Sequence, residues 1–284
     1  MLKNKIFSVT IALITAFTLG FTGCDNTSVT DSDTEIEVEV GTGTLEILLH
    51  DAPINYEEVN VFIESVEVNN SDSTDGWIEI GSPQQSYDLL KLTNGATKVL
   101  VSAQLEAGTY EQIRLILSSE GHNVVIDGTS HDMFIPSGEQ TGIKLNVNAE
   151  IEPDITYTLL LDFDAARSVV KRGKAQSENA QSGVEYLLKP VISASNEAVT
   201  GNIAGIVEPA DAQAFIYAIA DSDTLSSTKA DTTDGSFKLI GLEEGTYTVL
   251  MNPTNENYQS TDTTGVEVTI GETNDIGTIT LSEN

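Results

Sequence analysis

Three aspartates stand where carboxylates could hold a cation. Asp162 and Asp164 lie two apart in Leu161-Asp162-Phe163-Asp164, so they share a face if a strand runs through them. Asp51 follows His50 at the end of another apolar run. Brought together, the three would suit Ca2+, which prefers several oxygen ligands. The competing reading needs no ion: Asp164 caps a short helix and Asp162 accepts turn hydrogen bonds. Asp221, Asp223, Asp231 and Asp234 form a second acidic group, but their spacing fails the EF-hand pattern and suits a solvated hairpin loop. His50, His122 and His131 stand in no H-E-x-x-H or C-x-x-C arrangement, and Ser137 lacks the G-x-S-x-G elbow. These positions assign no catalytic residue, and Ca2+ is the one cofactor they suggest. Trp77, after Asp75-Gly76, is either a sugar-stacking residue at a loop tip or a strand-start residue packed on the core. Arg167, Lys171, Arg172 and Lys174 crowd four cations into eight residues. They either meet an acidic partner or polysaccharide, or offset a helix dipole and the acidic background.

The elements that must position these residues are strands. From Gly43 onward the apolar period is two: Leu45, Ile47 and Leu49, then Val59, Val61 and Ile63, then Ile113, Leu115 and Leu117. The longest run is Ile143, Leu145, Val147, Ala149 and Ile151, and Tyr157, Leu159 and Leu161 follow. Alternation of this kind marks half-buried antiparallel strands. Asp75-Gly76, Asn94-Gly95, Ala107-Gly108, Asp127-Gly128 and Ser137-Gly138 separate them as turns. One short helix is expected after Asp164, with Lys171 and Arg172 in its last turn and Gly173 at C′. Lys174 to Gly183 reads as a mobile loop and Tyr186 to Ile192 as a closing strand. A polar stretch near Ser195 to Thr200 marks a boundary. Beyond it come Ile203–Val207, Phe215–Ala220, Phe237–Ile240, Tyr247–Met251, Val266–Ile270 and Ile276–Leu281, short strands that fit a small Greek-key sandwich. The expected fold is all-β: an antiparallel sandwich or barrel-like domain with one short helix, then a second sandwich.

Forty-four acidic residues face thirteen basic ones, a net charge of −31. A surface this acidic excludes nucleic acid as a partner, because phosphate binding needs cations. It also disfavours adsorption to anionic headgroups. The first residues read as an export signal: Lys3 and Lys5, then an uncharged stretch from Ile6 to Phe21, then Thr22-Gly23-Cys24. The stretch is too short and too interrupted by Ser8, Thr10, Thr15 and Thr18 for a spanning helix. Loss of Lys3 and Lys5 with the signal leaves eleven basic residues against 44, a balance of −33. Cys24 is the one cysteine, so no disulfide staples the fold. Asp25 to Val40 carries six acidic and no basic residues and reads as a solvated tether. Glu35 to Val40 alternates acid with Ile36, Val38 and Val40, a pattern that could join a sheet edge.

Phe21-Thr22-Gly23-Cys24 resembles the lipobox of bacterial lipoproteins, which implies acyl chains on Cys24 and cleavage before it; a simple cleaved signal without lipid is the competing reading. The stretches Leu48-Leu49-His50-Asp51-Ala52-Pro53, Tyr87-Asp88-Leu89-Leu90, Ile135 to Lys144, Asp162-Phe163-Asp164-Ala165 and Leu188-Lys189-Pro190-Val191-Ile192 resemble, in order, the bacterial lipoprotein family known as domain of unknown function 4382. That resemblance implies an exported β-rich domain and supplies no reaction. Gly205-Ile206-Val207, Asp234-Gly235-Ser236-Phe237 and Gly241 to Val249 are similar to the carboxypeptidase regulatory-like, transthyretin-like sandwich, which implies a structural or adhesive module. The expected organisation is a signal at 1–23, an acidic tether at 24–42, a β-rich domain at 43–196 and a sandwich at 197–284. The expected function is a lipid-anchored, non-enzymatic binding or scaffold protein of the bacterial cell envelope, at the outer membrane with the leaflet open. Its partners would be the membrane, through the lipid, and an envelope protein or polysaccharide. A carbohydrate- or Ca2+-binding surface lipoprotein is the alternative, and an uncharacterised hydrolase the third reading.

Overall fold

The computed structural model describes residues 41–70, 76–136, 142–172 and 185–284. Its strands are β1 (Thr42–Ala52), β2 (Glu58–Asn70), β3 (Trp77–Gly81), β4 (Gln85–Asp88), β5 (Lys98–Glu106), β6 (Gly108–Leu117), β7 (Asn123–Ile126), β8 (Thr129–Phe134), β9 (Ile143–Ile151) and β10 (Thr156–Asp164). The helix α1 (Ala165–Ser168) follows, then β11 (Val169–Lys171), β12 (Tyr186–Leu188), β13 (Ile192–Asn196), β14 (Thr200–Glu208), β15 (Phe215–Ala220), β16 (Asp223–Lys229), β17 (Ser236–Glu243), β18 (Gly245–Asn252), β19 (Thr261–Val268) and β20 (Thr273–Thr280). Cys24, the tether to Val40, the Ser137-Gly138 turn, Gly173 and Lys174 to Gly183 lie outside the described residues.

The alternating apolar residues become core-facing sides of strands. Leu45, Ile47 and Leu49 of β1, Val59, Val61 and Ile63 of β2, and Ile113, Leu115 and Leu117 of β6 are buried in one cluster with Leu159, Leu161 and Phe163 of β10. Each such side chain contributes about 1.5–3 kcal/mol relative to exposure. The cluster lies between a sheet ordered β13-β10-β1-β5 and a larger one ordered β11-β12-β8-β7-β2-β6-β9, with β3 and β4 also on β2. A second cluster, including Ile203, Ile216, Phe237, Tyr247 and Val249, lies between β17-β14-β20 and β16-β15-β18-β19. The sheets stack open and do not close into a barrel.

Four details depart from expectation. β1 pairs with β10 in parallel, as β12 does with β8 and β14 with β20. Alternation reports burial of one face but not strand direction. The helix stops after one turn, because Val169 and Val170 are β-branched and pair with β12. The closing strand is split by Lys189-Pro190 into β12 and β13, since proline supplies no N–H to a ladder. The polar segment Asp223–Lys229 is a strand, β16, joined to β15 by a two-residue turn in which Asp221 and Ser222 both have positive φ.

Residues Val40–Asn284 form one unit, and a loop residue joins its two sandwiches. Asn94, at φ +56°, receives a backbone bond from Lys238 on its Oδ1 (2.6 Å) and donates through Nδ2 to the Ser236 carbonyl (3.3 Å). Its own N–H donates to Thr228 Oγ1 of β16 at 2.9 Å. The side-chain amide thus occupies the free edge of β17 as a neighbouring strand would. Nearby, Gly241 (φ +73°) lets the β17 backbone approach β10 and β13, where a Cβ would sit 2.9 Å from the Leu160 side chain and 3.1 Å from Ser195 Oγ.

Candidate functional site

The parallel register of β1 and β10 decides where the three aspartates point. His50 sits opposite Asp162, Asp51 opposite Phe163, and Ala52 opposite Asp164. Residues paired in register share a face. Asp51 therefore lies on the Phe163 side, toward the first core, whereas Asp162 and Asp164 lie on the outer side, toward the second sandwich. The structure brings Asp162 and Asp164 to one face and puts Asp51 on the other, so the three do not converge on one ion. Among the described residues no three His, Cys, Asp or Glu side chains are grouped to hold a metal.

Each carboxylate has its own role. Asp51 is fully buried, and its Oδ1 accepts the Ala165 N–H at 2.9 Å, tying β1 to the start of α1. Its Oδ2 has no partner. Burial pushes this carboxyl well above its usual range; the Ala165 bond opposes the rise, and Asp162 and Asp164 add to it. Asp164 caps α1 by accepting the Arg167 N–H at 2.8 Å and pairs with the Arg167 guanidinium at 2.5 Å. Asp162 lines a cavity, and its Oδ1 is buried without a partner. Burial first, then Asp164, raise its pKa to about 6 against the pull of Arg167.

The Asp162 shift has a direct consequence for stability. In the unfolded chain the carboxyl loses its proton near its ordinary value of 3.8, and in the folded chain near 6. Below 3.8 both states are protonated and the group is neutral to folding. Between 3.8 and 6 the folded state holds the extra proton, so stability falls as pH rises through this window. Asp162→Asn is expected to stabilise the protein at pH 7.5 by up to about 3 kcal/mol, with the gain vanishing near pH 3.5. Urea unfolding of both proteins at the two pH values checks this, and an equal difference at both would refute it.

The histidines are structural. His122 Nδ1 accepts the Phe62 N–H at 3.1 Å and its Nε2 donates to the Ser118 carbonyl at 2.8 Å. His50 Nδ1 donates to the Ala96 carbonyl at 3.0 Å, holding the loop that carries Asn94, and its Nε2 is buried without a partner. The partners thus assign opposite neutral tautomers. Burial lowers the pKa of both. Their stabilisation is present above the unfolded value of 6.5 and is lost as pH falls through the folded values. His131 packs at a tilt against Tyr186 (5.1 Å between ring centres, 57° between planes) and lies 3.7 Å from Glu185.

Trp77 stands at a strand start but is not packed into the core. It opens the edge strand β3 opposite Asn69 and is half-buried, outside the core cluster. The Arg114 guanidinium lies 4.5 Å from its ring centre, and Lys144 5.6 Å away. Arg114 also pairs with Glu67. In the basic cluster, Arg167 is paired with Asp164 and Lys171 with Glu185 at 2.9 Å. Asp231 and Asp234 accept the Thr233 and Ser236 N–H groups, two residues on, as turn-forming aspartates do.

The groups that sequence reasoning passed over sit around Asp162. A cavity of about 240 Å3 between the outer face of β10–β13 and the second sandwich is lined by Leu160, Asp162, Ser193, Ser195, Ile240 and Leu242, with Leu225 at its rim. Past Leu225 it meets a depression of about 600 Å3 bordered by Pro53, Asp164, Arg167 and Tyr217. Polar alternation in Ile192-Ser193-Ala194-Ser195 was the available signal that serines share a face there. No helix among the described residues is long and apolar enough to cross a membrane.

Among solved structures, the chain is similar to a type II cohesin–X-dockerin complex from Acetivibrio cellulolyticus, at 22% identity and TM-score 0.23 over 29% of this chain and 58% of that one. It is similar to the TIE protein of Bacillus anthracis (15%, TM-score 0.22, covering 86% of this chain and 34% of that). It is also similar to GBS52, the minor pilin of Streptococcus agalactiae (10%, TM-score 0.22, 84% and 96%). The chain thus spans 58% and 34% of the first two. No curated protein matches it significantly. The family model described as Domain of unknown function (DUF4382) matches residues 42–190, just over half the chain and nearly all of the first sandwich, and on that match the protein belongs to the DUF4382 family.

Proposed function

We propose that this protein is an exported, lipid-anchored, non-enzymatic binding or scaffold protein of the bacterial cell envelope, held at the outer membrane. The observation that carries the reading is the N-terminal segment: two lysines, an uncharged stretch to Phe21, and Thr22-Gly23 before the one cysteine. A chain with no second cysteine gains nothing from a thiol outside the cell unless the sulfur is used. Two or three acyl chains on it give lasting attachment, at about 0.8 kcal/mol per buried CH2. The acidic stretch that follows suits a spacer between bilayer and sandwiches. The carboxypeptidase regulatory-like resemblance of the second sandwich supports a structural or adhesive module there.

The binding or scaffold part of the reading is supported by how the polar residues are used. The buried histidines and Asp51 and Asp164 serve the protein's own backbone and ion pairs. Cys24→Ser is expected to move the protein from the membrane pellet to the soluble fraction and to abolish labelling by radioactive palmitate. A variant that stays in the pellet and takes up label refutes the anchoring.

A further inference from the structure

We infer that the cleft between the two sandwiches is a binding site for a primary ammonium group carried on an apolar body, with Asp162 as its counter-ion. Asp162 lines a cavity large enough to hold a small ligand, and its Oδ1 is buried with no hydrogen-bond partner. A buried carboxylate oxygen without a donor is costly, and a cationic donor is the partner that offsets most of that cost. The register supplies two more acceptors. Ser193 stands directly opposite Asp162 on β13, and Ser195 lies opposite Leu160 on the same face. Side chains directly opposed across such a pair are about 5 Å apart at Cβ. Three oxygens, from Asp162, Ser193 and Ser195, match the three N–H donors of a primary ammonium.

The rest of the lining selects the body of the ligand. Leu160, Ile240 and Leu242 are the cavity's apolar lining together with Leu225, which is 52% exposed. These surfaces suit a short aliphatic chain or an aromatic ring, not a hydrated sugar. The cavity suits a metal poorly. Ca2+ takes about six to eight oxygens, whereas the carboxylates lining this cavity are Asp162 and the exposed Glu243. Asp164, the neighbouring carboxylate, is already engaged with Arg167. Closing the ligand between two sandwiches that Asn94 holds together also explains why a cleft survives there: the latch fixes the spacing, and Gly241 sets how near β17 comes.

The inference rests on the binding part of the proposed function and is independent of lipid anchoring. The test is calorimetric titration of the folded protein with phenethylamine, and with 2-phenylethanol as its uncharged counterpart. Phenethylamine is expected to bind at least tenfold more tightly than the alcohol. Asp162→Asn is expected to weaken the amine at least tenfold while remaining folded. Leu225→Lys, at an exposed position, is expected to place an ammonium of the protein itself in the cleft and abolish binding. Nα-acetyl-lysine methylamide distinguishes sources: tighter binding than phenethylamine identifies a partner's lysine as the natural occupant, and weaker binding identifies a free amine. Equal binding of amine and alcohol, unchanged affinity in both variants, no binding of either amine, or displacement of phenethylamine by CaCl2 would each overturn the assignment. Any of those results leaves the anchoring and scaffold reading standing, because Cys24→Ser tests it separately.

Discussion

Gly235→Ala is expected to unfold the second sandwich under conditions where the parent is native. Gly235 precedes β17 at φ +75°, and a Cβ there would lie 2.0 Å from the Val207 carbonyl oxygen. That carbonyl belongs to β14, which β17 pairs with, and Gly235 is bonded to the same strand, its carbonyl accepting the Val207 N–H at 2.9 Å. Neither side can retreat without breaking the ladder between them. The expected loss is at least about 4 kcal/mol, in the range reserved for overpacking and backbone strain, and a large share of the 5–15 kcal/mol that holds a typical domain. Gly271→Ala provides the comparison. Gly271 has a similar φ of +73°, but a Cβ there meets nothing within 4 Å. Its cost should be the left-handed conformation alone, about 1–2 kcal/mol. Guanidinium unfolding followed by circular dichroism measures both, and equal effects would show that φ, not the approach of Val207, makes position 235 a glycine.

Asn94→Leu is expected to separate the two sandwiches into independent melting units. The substitution removes the bonds to Ser236 and Lys238, each worth about 0.5–1.5 kcal/mol. It also places a bulky side chain at φ +56°, costing a further 1–2 kcal/mol or so. The combined loss is about 3 kcal/mol. Asn94→Gly accepts the backbone conformation and retains the bond from the residue 94 N–H to Thr228, so it isolates the amide's share, about 1–3 kcal/mol. Trp77 lies in the first sandwich and is the one tryptophan, so its fluorescence follows that half alone while circular dichroism follows both. In the parent the two melting curves should coincide; in Asn94→Leu they should part. Coincident curves in the variant would mean that other contacts couple the halves.

The strands were legible wherever one face is buried. Leu45, Ile47 and Leu49 alternate with residues that are half-buried, and the pattern survives in the fold. It failed at β16, Asp223-Thr224-Leu225-Ser226-Ser227-Thr228-Lys229, where core positions are held by Ser226 and Thr228. Ser226 can be buried because its hydroxyl donates to the Ile240 carbonyl at 3.3 Å, and Thr228 because it receives Asn94. The first partner lies on the next strand, β17, and the second 134 residues away in sequence. Asn94-Gly95 was readable as a turn from its composition, yet that its amide would land on β17 depends on how the two sandwiches meet. The aspartates show the same division. Asp164 as a helix cap follows from local sequence, whereas the orientation of Asp51 follows from a parallel register with a strand more than a hundred residues away.

That register also bears on how the molecule answers tension. β1 is the first described strand, and it lies between β10 and β5, bonded along both edges. A protein held from its N-terminal side transmits any tug into the Thr42 end of β1, along the strand. The ladders on either flank then resist by sliding all their bonds at once, not by peeling one after another. Sequence order has placed a grip where a leash would join the body.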